Sequence, residues 1–217
     1  MDVNPNNASS GIVMSQVASF YNKIAKVYPV LDMFLQEPKK QLLAQVNRER
    51  PGRLLEIGVG RGDNLPHYVH RPVVGIDVSE GMLSYARKKA PHGCELFVMD
   101  AARLEFSDSS FEYGVISHVL TVVPDPGKVM DEVHRVVKPG GKVFILNHES
   151  TGPVREKLNK KLAPITRLLH FSATFDMQAL VDSRKFTMMH RARHGLIPSI
   201  TLMVLRRNEE AAPGRDN

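Results

Sequence analysis

From Arg53 onward, short and nearly unbroken apolar runs alternate with stretches of helical periodicity, and this alternation narrows the architecture more than any other feature. The runs are Arg53–Val59 (RLLEIGV), Val73–Asp77 (VVGID), Glu95–Met99 (ELFVM), Tyr113–Ser117 (YGVIS) and Lys142–Asn147 (KVFILN). Brevity, β-branched content and apolar residues at consecutive positions predict strands covered on both faces. Between them, Asp63–Val69, Ser79–Lys89 and Pro126–Val137 carry helical patterns. Ser79 ahead of Met82 and Leu83 predicts a helix N-cap, and Pro139-Gly140-Gly141 predicts a stop before the fifth strand. Alternating strands and helices imply right-handed crossovers and a parallel sheet. The pattern then changes. Phe186–Arg193 and Ser199–Arg206 are strand-like, and the segment between them is too short for a helix, so they predict an antiparallel hairpin at one edge of the sheet. The expected fold is α/β and Rossmann-like, with a seven-stranded, mostly parallel sheet closed by a C-terminal antiparallel hairpin.

A chain of 217 residues supports one sizeable core and leaves little for a second. The expected organisation is a single domain over 12–207, between polar ends at 1–11 and 208–217 that are expected to be disordered. The only cysteine, Cys94, excludes an internal disulfide; it is expected in the core and fits a reducing cytoplasmic setting. No apolar run is long enough to span a bilayer, and no basic-then-apolar leader is read at the start. The net charge of +6 suits either a solvated basic surface or an anionic partner, nucleic acid or acidic lipid.

The first strand runs into Glu56-Ile57-Gly58-Val59-Gly60-Arg61-Gly62-Asp63-Asn64. Glycines there let the backbone turn tightly and let a ligand approach it, at the strand end where open α/β sheets bind ligands. Asp77 closes the second strand. Its carboxylate suits both hydroxyls of a ribose; the alternative is a turn residue ahead of Ser79. Asp100-Ala101 closes the third strand, where a carboxylate suits an adenine amine, or simply a strand end. A dinucleotide and S-adenosylmethionine (SAM) both use a glycine loop and an acidic second-strand end. The Gly-x-Gly-x-Gly spacing after Glu56, the carboxylate after the third strand and the lack of room for a substrate domain favour SAM. Several carboxylates also suit a cationic sulfonium better than a pyrophosphate.

LEIGVGRG, GIDVSEGML, MDAARLEF, SFEYGVISHVL and VVKPGGKVF, in this order, resemble the motifs of class I SAM-dependent methyltransferases over roughly 16–206. The resemblance assigns the cofactor site to Glu56, Gly58, Gly60, Gly62, Asn64, Asp77, Val78, Met82, Asp100, Ala101 and Ser117, with S-adenosylhomocysteine as product and no metal. Tyr21 to Tyr28 (YNKIAKVY) resembles the short helix with which many of these enzymes lid the pocket; the family's aspartate after the second aromatic is here Pro29. Leu65-Pro66-His67-Tyr68, His118–Pro124 (HVLTVVP) and Asn147-His148 resemble the bacterial phospholipid N-methyltransferases. This implies methylation of phosphatidylethanolamine, and of its partly methylated forms, towards phosphatidylcholine.

Methyl transfer from a sulfonium needs orientation more than activation, but an amine acceptor must arrive unprotonated. His118 and His148 are the candidates to orient or deprotonate it; the alternative for His118 is packing beside adenine. Tyr21 and Tyr28, seven residues apart and on one helical face, are candidates to hold a quaternary ammonium, or else plain core residues. Val154–Phe171 (VREKLNKKLAPITRLLHF), broken by Pro164, suits either an anionic membrane surface or packing on the sheet. The resemblance implies a cytoplasmic enzyme peripherally associated with the inner face of the membrane. A cytosolic N-, O- or C-methyltransferase of a small metabolite and a non-catalytic SAM- or nucleotide-binding protein are the competing readings. Nucleic acid is disfavoured, because aromatic and basic residues do not interleave. Oligomeric state has no sequence signal.

Overall fold

The computed structural model describes residues 28–69, 72–149, 177–194 and 199–209. Helix α1 spans Tyr28–Asn47. Strand β1 (Leu54–Ile57) follows, then β2 (Val73–Asp77), helix α2 (Glu80–Lys89), β3 (Cys94–Val98) and β4 (Phe111–Ser117). Helix α3 (Pro126–Val136) leads into β5 (Val137–Glu149), and β6 (Phe186–His194) and β7 (Ser199–Arg207) complete the sheet. The strand order is β3-β2-β1-β4-β5-β7-β6. β1 to β5 pair in parallel, whereas β7 runs antiparallel to both β5 and β6. The order reverses between β1 and β4, which makes their carboxyl ends the switch-point crevice where ligands bind in such sheets.

Alternation along each strand divides the core between the two faces. Leu54, Phe144, Leu146 and Leu202 pack with Leu42 and Val46 of α1 and Leu83 and Ala86 of α2. Leu55, Ile57, Val143 and Ile145 pack with Val129, Val133 and Val136 of α3 on the opposite face. α2 starts as the sequence predicts, with Ser79 Oγ accepting from Met82 N at 3.2 Å.

Three local expectations are corrected. Asp63–Val69 holds only a 3-10 turn, Leu65–His67. The Asn64 side chain makes no cap there; it donates to Glu56 instead, and Tyr68 leaves in extended conformation so that its ring is buried. Pro139-Gly140-Gly141 is no stop either. α3 ends at Val136, and the chain passes straight into β5 because the fully buried Val137 pairs with Phe111. The three residues form an irregularity within the strand, with Gly140 at φ 75 and a register shift opposite Phe111 and Tyr113. β3, finally, is an edge strand: Phe97 and Val98 are 40% and 52% exposed, and Cys94 at its start is half-buried instead of central.

Candidate active site

The glycine loop turns on positive φ at Gly58 (69), Gly60 (54) and Gly62 (76), a region that L side chains rarely adopt. Each glycine also has its own steric reason. A Cβ on Gly58 would collide with Val119 Cγ2, so β1 and the segment after β4 meet across the crevice only if it is absent. A Cβ on Gly62 would sit 2.8 Å from Ala86 Cα, so this glycine lets α2 pack close. Gly60 differs: no described residue lies within 4 Å of its Cβ position. At Gly60 the loop therefore presents bare backbone that no described side chain covers, a cradle that a ligand can approach.

Asp77 anchors this loop. Its Oδ2 accepts from Gly60 N and its Oδ1 from Ser79 N, both at 2.9 Å. Turn residue and ligand-binding residue are thus compatible readings, because each carboxylate oxygen keeps a further lone pair for a ribose hydroxyl. Asp100 is held likewise, with Oδ1 accepting from Ala102 N at 2.8 Å, and Ala101 is buried beside it. Between the two carboxylates stand apolar side chains left in the open: Val78 at 71%, Met82 at 43% and Val98 at 52% exposure. A flat apolar ring edged by carboxylates matches these walls.

Beneath the loop, Glu56 is buried, and Asn64 Nδ2 donates to its Oε1 at 2.6 Å. Burial pushes its carboxyl up to about 7, against the opposing pull of hydrogen bonds from Asn64 and Tyr68 and of the Lys39 charge.

Across the crevice, β4 ends at Ser117 and His118 takes a left-handed backbone, φ 58, with its N–H donating to Leu146 O at 2.7 Å. The ring lies 5.0 Å from that of His148, centroid to centroid, tilted by 39°. Burial first, then the neighbouring His148 and Lys39, lower its pKa to about 4, so the imidazole is neutral at physiological pH. Its Nδ1 is shielded from solvent and has no hydrogen-bond partner among the described residues. A neutral ring with such a nitrogen can accept a hydrogen bond and orient an acceptor.

The structure therefore gathers Glu56, Gly58, Gly60, Gly62, Asn64, Asp77, Val78, Met82, Asp100, Ala101, Ser117, His118 and His148 along one edge of the sheet. Tyr21, the side chain of Tyr28 and the Val154–Phe171 segment lie outside the described residues. Among the described residues no cluster of His, Cys, Asp or Glu suits a metal ion. Sequence reasoning missed Lys39, which reaches Glu56, Asp63 and His118 with its charge. The available signal was its place three residues before Leu42 and seven before Val46 on one helical face.

Known proteins match this arrangement. Residues 55–145 fit the family model of a methyltransferase domain. The chain is 40% identical over 151 residues to a phosphatidylethanolamine N-methyltransferase of Cereibacter sphaeroides, covering 66% of this chain and 73% of the relative. It is 32% identical over 149 residues to a demethylmenaquinone methyltransferase of Renibacterium salmoninarum, covering 64% of this chain and 62% of that protein. The fold is shared with the N-methyltransferase NodS from Bradyrhizobium japonicum WM9, solved with S-adenosyl-L-homocysteine: TM-score 0.65 at 19% identity, covering 81% of this chain and 88% of that one. Crevice, glycine cradle and relatives agree, and the chain belongs to the class I SAM-dependent methyltransferases.

Proposed function

We propose that the enzyme N-methylates an ethanolamine headgroup, taking phosphatidylethanolamine and its partly methylated forms at a membrane surface. The support is the 40% identity to a phosphatidylethanolamine N-methyltransferase, together with a neutral histidine at the acceptor end of the crevice. SAM supplies a methyl group already activated on a sulfonium and leaves as S-adenosylhomocysteine. The chain's own residues orient and desolvate. Asp77 accepts the ribose hydroxyls, Val78 and Met82 cover the adenine, and Asp100 with Ala101 edges it. The bare backbone at Gly60 carries the amino-acid end towards Glu56 and Asn64. Ser117 closes the floor between β1 and β4.

The acceptor amine enters opposite, against His118. Only the unprotonated amine is a nucleophile, and an uncharged imidazole can accept a hydrogen bond from it and hand its proton on to water, so that no second cation is left beside the sulfonium. His148 stacks against His118 and fixes its ring. Tyr21 and Tyr28 are assigned to the growing methylammonium, which aromatic faces hold at about 0.5–2 kcal/mol each. The net charge of +6 and the basic Val154–Phe171 segment suit peripheral attachment to an anionic bilayer. Among the described residues no helix is long and apolar enough to cross one.

A second reading, C-methylation of a quinone ring, is favoured by the 32% identity to a demethylmenaquinone methyltransferase. Incubation of the protein with methyl-labelled SAM and mixed vesicles containing both phosphatidylethanolamine and demethylmenaquinone separates the two. Label in mono-, di- or trimethylated phospholipid is the expected result; label confined to the quinone sinks the lipid reading.

A further inference from the structure

Lys39 sits where no motif of the sequence points. α1 runs antiparallel to the strands it covers: Leu42 and Val46 are fully buried in the cluster that holds Leu54, Phe144 and Leu146, and just past the end of α1 Glu49 pairs with Lys142 at 2.6 Å and Arg50 O accepts from Tyr113 Oη at 2.9 Å, where the parallel pairing of β4 and β5 begins. One turn before Leu42, the same helical face arrives above the carboxyl edge of the sheet. Alternation puts Glu56 on the face of Leu54 and His148 on the face of Leu146, which is the face that α1 covers. Lys39 is half-buried on this face, and its charge reaches Glu56, Asp63 and His118. It makes no ion pair with any described residue; Asp63, within reach of its charge, is taken by Lys89.

A half-buried cation and a buried carboxyl group within reach of one another, beside the Gly60 cradle, complement a zwitterion. The cofactor ends in one, an α-amino acid. With the ribose on Asp77, its tail has to cross Gly60 to reach this position. We propose that Lys39 binds the α-carboxylate of the cofactor, while Glu56 faces its α-ammonium, so that α1 completes the cofactor site. Charge-assisted contacts of this kind are worth roughly tenfold to a hundredfold in affinity when partly shielded from water.

The test is a cycle of protein and ligand changes read by calorimetry: wild type, Lys39→Gln and Lys39→Arg, each titrated with S-adenosylhomocysteine and with its decarboxylated analogue. Wild type is expected to prefer S-adenosylhomocysteine by roughly tenfold or more. Lys39→Gln should erase that preference by weakening S-adenosylhomocysteine alone, and Lys39→Arg should restore most of it. If wild type fails to distinguish the ligands, or the preference survives in Lys39→Gln, the assignment is wrong. Equal weakening of both ligands in Lys39→Gln also overturns it, because that pattern belongs to a displaced helix. None of these outcomes bears on the identity of the methyl acceptor.

Discussion

His118 is a non-glycine residue in a left-handed backbone, a conformation that costs about 1–2 kcal/mol for most side chains. The strain turns the chain at the end of β4, so that Val119 drops onto Gly58 while the imidazole stays against His148. The ring is neutral in the fold and would titrate near its ordinary 6.5 once unfolded. As pH falls through that value the unfolded chain binds the proton first, and stability drains away until the folded group titrates near 4. Glu56 acts with the opposite sign: raised to about 7, it stabilises fully below about 4.5 and loses that contribution as pH rises through about 7. Comparison of His118→Gln with wild type isolates the histidine. Between pH 7 and pH 5 wild type should lose roughly 2 kcal/mol more than the variant in urea unfolding; parallel losses would show that the imidazole is protonated in the fold. Gly58, Gly60 and Gly62, which act through their backbone, and Asp77, whose carboxylate binds the same turn, were legible because their signal is local. Lys39 was not, since its role comes from the packing of a helix about which the strand motifs say nothing.

At the scale of elements, α3 fastens the sheet to the loop before β4. Asp125 caps it, accepting from Lys128 N at 3.0 Å. Arg135 in its last turn donates to Leu104 O at 2.8 Å, to Phe106 O at 2.7 Å and to the carboxylates of Asp108 and Glu132. Glu132 in turn accepts from Leu104 N at 2.7 Å. Residues 104–108 are thus tied to α3 by the Arg135 guanidinium and the Glu132 carboxylate that it holds. Arg135→Gln should destabilise the fold by about 1–3 kcal/mol and raise amide exchange over 104–108 more than in β4; uniform exchange across both would contradict the assignment. The strands and α2 were legible because continuous apolar runs and a serine cap are properties of the segment itself. The 3-10 turn and the start of β5 were not: Asn64 is spent on Glu56, eight residues back, and Val137 is claimed by Phe111. Similarly, the exposure of β3 follows from its place at the end of the sheet, which an apolar run of residues cannot announce.

For the whole molecule, a charge of +6 on a methyltransferase proposed to work on lipid predicts that any attachment to a bilayer is electrostatic. The protein should pellet with vesicles containing phosphatidylglycerol at low ionic strength and be released as salt shortens the screening length to about 8 Å. Pelleting that ignores salt would argue for insertion of apolar side chains, and failure to pellet at any salt would remove the membrane from the account. Strand order carries a consequence of another kind. β7 is the last of the described strands, yet it lies between β5 and β6 and contributes Met203 and Leu205 to one core and Leu202 and Val204 to the other. During synthesis β5 emerges with one flank unpaired, and β6 emerges with nothing to join, until Ser199–Arg207 has left the ribosome. The nascent enzyme is consequently committed to waiting: its sheet closes from the inside, last piece first into the middle, and a polypeptide arrested before that point is a substrate for chaperones and proteases.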